Sequence, residues 1–122
     1  MPFLTRRNAL AAAALALTVT ALPLAAQEKG TIYYMIPTLL DEFQTESQAA
    51  IENVFGDLGY EIKSLDAQNE ANRQLNQLED VIALAPKAII MNAVDFDAIV
   101  PGVEKARAAG IPVLNYDRQI RS

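Results

Sequence analysis

A chain of 122 residues without cysteine or histidine has no disulfide framework, no thiolate metal site and no catalytic pair built on imidazole. With 10 basic and 15 acidic residues and a formal charge of −5, it also lacks the basic surface that attracts phosphate backbones or anionic lipid heads, so nucleic-acid partners are not expected. The length suffices for one domain, and much of the 52% hydrophobic content lies in residues 1–26.

Those residues open on Met1-Pro2-Phe3-Leu4-Thr5-Arg6-Arg7, run through an Ala/Leu/Val/Thr stretch from Ala9 to Leu22, and reach Pro23-Leu24-Ala25-Ala26 before Gln27. A short basic start, an uncharged apolar middle and small residues at the end are the three parts of an export signal, and cleavage is expected after Ala26. A spanning anchor needs about 20 well-packed apolar residues. This stretch is Ala-rich, is broken by Thr18 and Thr20 and stops at Pro23, so no membrane anchor is expected after cleavage. Thr5-Arg6-Arg7-Asn8-Ala9-Leu10 resembles a twin-arginine signal, and paired arginines also serve ordinary secretory export, which leaves both routes open. Arg6 and Arg7 are the only charges in the segment, so residues 27–122 are more acidic still.

From Thr31 onward short apolar runs alternate with longer segments of helical period, the pattern of parallel βαβ units. Thr31 to Ile36 has no polar alternation, as expected of a strand covered on both faces, and Pro37 ends it. The spacing of Ala49, Ala50, Val54, Phe55 and Leu58 predicts one buried face of a helix from Glu46 to Leu58, terminated by a left-handed Gly59. Tyr60 to Leu65 alternates, which predicts a strand near the sheet edge. After the turn Asp66-Ala67-Gln68-Asn69, a helix capped by Asn69 or Asn72 is expected to run to Leu84, with Leu75, Leu78, Val81, Ile82 and Ala85 inward and Pro86 as its stop. Ala88 to Met91 is the third strand. A third helix is expected over 96–109, with Ile99, Val103 and Ala106 inward and Gly110 as its stop, and Pro112 to Tyr116 makes a fourth strand. Short connections and right-handed crossovers then give an α/β fold, a doubly wound parallel sheet running β-α-β-α-β-α-β with strand order 2-1-3-4.

Ligands of such open sheets bind outside the carboxyl ends of the strands. There the sequence delivers Thr38 to Gln44, Asp66 to Asn69, Asn92 to Asp95, and Asp117 with Arg118. Asp66, Gln68, Asn69 and Asp95 read best as turn and cap residues. Asp117 and Arg118 set a carboxylate beside a guanidinium, which offers acceptors and donors to neighbouring hydroxyls of a polyol and also fits a surface ion pair. Phe43 suits either an apolar platform for the C–H face of a sugar ring or a place in the core.

The segments "IPTLLDEFQ", "LGYEIKSLDAQNEANRQLNQLEDVIA" and "AIIMNAVDFDAIVPGVEKARAAGIPVLNYDRQ" resemble, in order and spacing, the N-terminal lobe of the ribose-binding family of periplasmic proteins. The family is two-lobed, closes around a monosaccharide and presents it to the membrane permease of an ABC importer. The resemblance implies that Asp117 and Arg118 contact sugar hydroxyls, that Asn92 supplies a further polar contact and that Phe43 stacks on the ring. It also implies a periplasmic location and an incomplete domain at 27–122, the second lobe being absent. Leu40 stands where such proteins often carry Asn, and Gln44 where a second aromatic is usual, so the pocket is expected to be rearranged toward another sugar or a cyclic polyol such as inositol.

Other functions on the same architecture fit less well. A signalling receiver needs an acceptor Asp where Asn92 stands, and a sugar-responsive repressor needs a helix-turn-helix where residues 1–26 stand. No Gly-rich phosphate loop follows Ile36, and no set of catalytic residues or metal ligands stands out, so neither a cofactor nor an enzymatic activity is expected. A sugar-sensing partner of a chemoreceptor or sensor kinase is the remaining alternative to transport.

Overall fold

The structure is a computed structural model that describes residues 29–117; the expected export signal and Arg118 lie outside the described residues. The element order is β1 (Thr31–Ile36), α1 (Glu42–Asp57), β2 (Glu61–Asp66), α2 (Ala71–Ala83), β3 (Ala88–Met91), α3 (Val100–Ala108) and β4 (Val113–Asn115). All strands are parallel in the order β2-β1-β3-β4. The expected topology is therefore the observed one.

Central β1 shows why its sequence lacks alternation: Ile32 to Ile36 are all buried, odd residues on one face and even residues on the other. Tyr33, Met35, Ile89 and Met91 pack with Leu78 and Val81 of α2, with Val103 and Ala106 of α3 and with Ile99 at the N-cap of α3. On the opposite face Ile32, Tyr34, Ile36 and Ile90 meet Ile51 and Phe55 of α1, together with Tyr60, Ile62 and Tyr116. Edge strand β2 keeps a wetter pattern, with Glu61 and Lys63 exposed.

Helices α2 and α3 approach each other closely at Gly102, where an added Cβ would stand 2.6 Å from Leu78 Cδ2 and 2.8 Å from Leu75 Cδ1. Gly59 and Gly110 end their helices with φ of 96° and 79°, as their positions in the sequence imply.

Helix boundaries depart from the expected ones for local reasons. Asp41 caps α1 by accepting the Gln44 N–H on Oδ1 at 2.8 Å, which starts the helix four residues before the expected Glu46. Its buried residues are Gln44 and Ser47, whereas Ala49, Ala50, Val54 and Leu58 of the expected inward face are exposed. Neither Asn69 nor Asn72 caps α2: Asn69 takes a left-handed φ of 59° in the preceding turn and Glu70 stands at the N-cap without a side-chain capping bond to the backbone. Ala85, expected inward, is exposed with φ 50° beyond the helix end. Helix α3 begins at Val100 because Asp95 Oδ1 takes the N–H groups of Asp97 and Ala98, both at 2.9 Å, in a turn over the expected first residues.

Candidate functional site at the carboxyl edge of the sheet

The segments after the four strands meet along one rim, tied by the backbone. Ala67 N–H donates to Ile36 O, Asn69 N–H to Pro37 O, Asn92 N–H to Met35 O and Tyr116 N–H to Met91 O, at 2.7 to 3.0 Å. Asp66 and Asp95 spend their carboxylates on the turns themselves, Asp66 Oδ1 accepting Gln68 N–H at 2.8 Å. Thr38 likewise accepts the Leu40 N–H at 3.1 Å, and Leu40 stands almost wholly in solvent at 91% exposure.

Asn92 is completely buried. Its Nδ2 donates to Gln44 Oε1 of α1 at 3.0 Å, while its backbone carbonyl accepts Gln74 Nε2 of α2 at 2.9 Å. Gln74 Oε1 in turn accepts the Val94 N–H at 2.8 Å, so one buried amide grips the start of the β3–α3 loop on both sides. Asn92 Oδ1 and the Tyr34 hydroxyl are both buried, and the Asn92 side chain is the hydrogen-bonding neighbour of that hydroxyl. Burial pushes the Tyr34 hydroxyl pKa up to about 12, the neighbouring Tyr116 and Asp117 acting in the same direction and Asn92 against it.

At the end of β4, the Tyr116 hydroxyl donates to Ser47 Oγ of α1 at 2.9 Å. Its ring stands edge-on to Tyr34, centroids 6.0 Å apart at 89°. Asp117 follows directly, exposed and left-handed with φ 66°. Phe43 sits in the first turn of α1, 54% exposed, and is therefore not a core residue. The fold thus brings Asn92, Asp117 and the α1 turn bearing Phe43 to one end of the sheet, Asn92 beneath the surface and the other two on it. Arg118 lies outside the described residues, among which no cluster of acidic side chains is able to hold a metal ion.

Sequence reasoning passed over Ser47, Gln74, Tyr34 and Tyr116 as parts of this end of the molecule, and read Gln44 as a rim residue without its buried bond to Asn92. A signal was present. Gln44 and Ser47 lie on the helical stripe that continues through Ile51 and Phe55, and Gln74 on the stripe of Leu78 and Val81. Polar residues at core-facing helical positions must find buried partners.

One surface concavity, about 500 Å³, lies at the opposite end of the strands among Gly30, Leu84, Pro86, Lys87 and Pro112. The carboxyl rim is instead an open shelf, polar and tied to both helical layers, such as α/β binding domains present to small molecules. The sequence matches the periplasmic binding protein domain over residues 32–122, and the chain belongs to that family. The ribose import binding protein of Escherichia coli (strain K12) is 33% identical over 108 residues, covering 88% of this chain and 36% of that protein. The D-apiose import binding protein of Paraburkholderia graminis is 40% identical over 65 residues, 53% of this chain and 21% of that protein. Among solved structures, an ABC transporter solute binding protein from Bacillus halodurans C-125 with bound myo-inositol matches with a TM-score of 0.69 and 33% identity, over 75% of this chain and 32% of that one. The chain therefore spans about a third of the length of the relatives it matches.

Proposed function

We propose that the chain forms one lobe of an exported, two-lobed binding protein that captures a monosaccharide or cyclic polyol in the periplasm and hands it to the permease of an ABC importer. The observation that carries this reading is the rim itself: all four strands of a periplasmic binding protein domain deliver the residues after them to one open shelf, with an acidic residue and an exposed aromatic on it. Ribose, apiose and myo-inositol in the names of its relatives are all small and dense in vicinal hydroxyls, and the shelf offers the chemistry such ligands need. Asp117 supplies acceptors, Arg118 donors, Phe43 a face for C–H groups, and Asn92 a buried polar group in the floor. Charge-assisted hydrogen bonds are about twice as strong as neutral ones, which suits a ligand that leaves its water behind. An open shelf leaves most of a sugar wet, so tight capture requires a second wall closing over it.

Residues 1–26 act as the cleaved signal, and the mature chain starts at or near Gln27. The test is calorimetry of the full-length protein against ribose, apiose, myo-inositol and a wider panel of pentoses and hexoses. Binding of at least one in the micromolar range or tighter is expected, and failure of every sugar and polyol to bind would overturn the reading.

A further inference from the structure

We propose that Tyr116 is a positioning residue, whose hydroxyl, bonded to Ser47, locks the left-handed backbone of Asp117 and sets its place relative to the first turns of α1. The inference rests on the sugar-binding role given to the rim, and the observations beneath it are independent of which sugar binds.

A non-glycine residue with φ of 66° is strained even when it is Asp, and such a conformation persists only where its surroundings fix it. Asp117 follows the last residues of an edge strand only three residues long, which by itself is a weak anchor. Tyr116 compensates through three restraints. Its N–H donates to Met91 O at 2.9 Å, its hydroxyl donates to Ser47 Oγ at 2.9 Å, and its ring stands at a right angle against the fully buried Tyr34.

The hydroxyl bond is the restraint with the longest reach. It joins residues 69 apart in sequence, and Ser47 is itself a buried polar residue of α1, one turn after Phe43 and Gln44. The strand end that carries Asp117 and the helix turn that carries Phe43 are thereby held at one spacing, while Gln44 fixes the same turn to Asn92. A serine on the core-facing stripe of a helix has no apolar reason to be there. Its bond to Tyr116 explains it.

The bond is worth one neutral hydrogen bond, so its loss is expected to weaken ligand affinity about three- to tenfold. The experiment compares wild type, Tyr116→Phe, Ser47→Ala and the double variant in the full-length protein, each alone and with Asp117→Ala. Affinity is read by calorimetry with the sugar that binds wild type, and the Asp117 backbone by the strong intraresidue HN–Hα cross-relaxation that positive φ produces in NMR. Tyr116→Phe and Ser47→Ala are expected to weaken binding equally and not additively, to have no further effect once Asp117 is Ala, and to diminish the Asp117 cross-peak. Wild-type affinity in Tyr116→Phe, or an equal loss with and without Asp117, would overturn the proposal. Should no sugar bind wild type, the function proposed above falls, and the cross-peak still decides this inference: unchanged in Tyr116→Phe, it overturns the lock.

Discussion

The two faces of the sheet are built to different ends. Toward α2 and α3, eleven buried residues from Tyr33 to Ile111 form one apolar cluster, and the helices press close enough that a side chain at Gly102 would displace the methyl ends of Leu78 and Leu75. Toward α1 the buried apolar set is Ile32, Tyr34, Ile36 and Ile90, and α1 buries Gln44 and Ser47 in place of aliphatic side chains. Val54, Leu58 and Leu114 stand half or more exposed on this side. The first face concentrates hydrophobic stabilisation and carries Gln74 as its buried polar residue near the rim; the second gives up more of it, through Gln44 and Ser47, to place polar groups there. The proposed binding role needs both, since a site is held in geometry only by a scaffold that does not yield with it.

Truncating each face should separate these roles. Leu78→Ala removes a fully buried side chain from the apolar cluster, and denaturant unfolding should show a loss of about 2–5 kcal/mol. Asn92→Ala, across the sheet, leaves Gln44 Oε1 without its donor. A loss of about 1–3 kcal/mol is expected, accompanied, unlike that of Leu78→Ala, by weaker ligand binding in calorimetry.

The Tyr34 hydroxyl adds a pH signature. With a folded pKa of about 12 against an ordinary 10, the folded state keeps its proton where the unfolded chain has lost it. This contribution is fully present below pH 10 and is lost as pH rises from 10 toward 12. The alkaline decline in stability should be shallower in Tyr34→Phe, and an identical decline would remove Tyr34 as its source. At the small end, Val54→Ser on the exposed flank of α1 should change stability by no more than about 0.5 kcal/mol, because Val54 is 56% exposed. A larger loss would mean that this flank is covered.

The apolar face was the legible one. Continuous runs at Ile32 to Ile36 and Ala88 to Met91, and the stripe of Leu78 and Val81, carry their burial in their spacing, so strand order and helix order could be read from the sequence. The face under the site was misread where polar residues take core positions. Of the expected stripe only Phe55 packs inward; Ala49, Ala50, Val54 and Leu58 match a helical spacing as well as Ile51 does, and hydrophobicity alone favoured their flank of α1 over one bearing Gln44 and Ser47. The rim was legible as a place, because the residues after each strand end are known once the strands are. Its wiring was not, since the Gln44–Asn92 and Ser47–Tyr116 bonds span 48 and 69 residues and depend on side-chain directions that no spacing rule supplies. Asn92 reads in sequence as one more rim residue; the fold places it beneath the surface with its amide nitrogen bonded to Gln44 Oε1.

The most direct test is the affinity of Asp117→Ala beside wild type in the full-length protein, measured by calorimetry with the best ligand of the sugar and polyol panel and paired with the melting temperature of each. Truncating one partner of a buried charged hydrogen bond costs about 2–5 kcal/mol, or roughly 30-fold to several thousand-fold in affinity. Because Asp117 is exposed at the strand end, the predicted result is that loss of affinity with ligand-free melting close to wild type. Unchanged affinity with unchanged melting would contradict the assignment of Asp117 to the site.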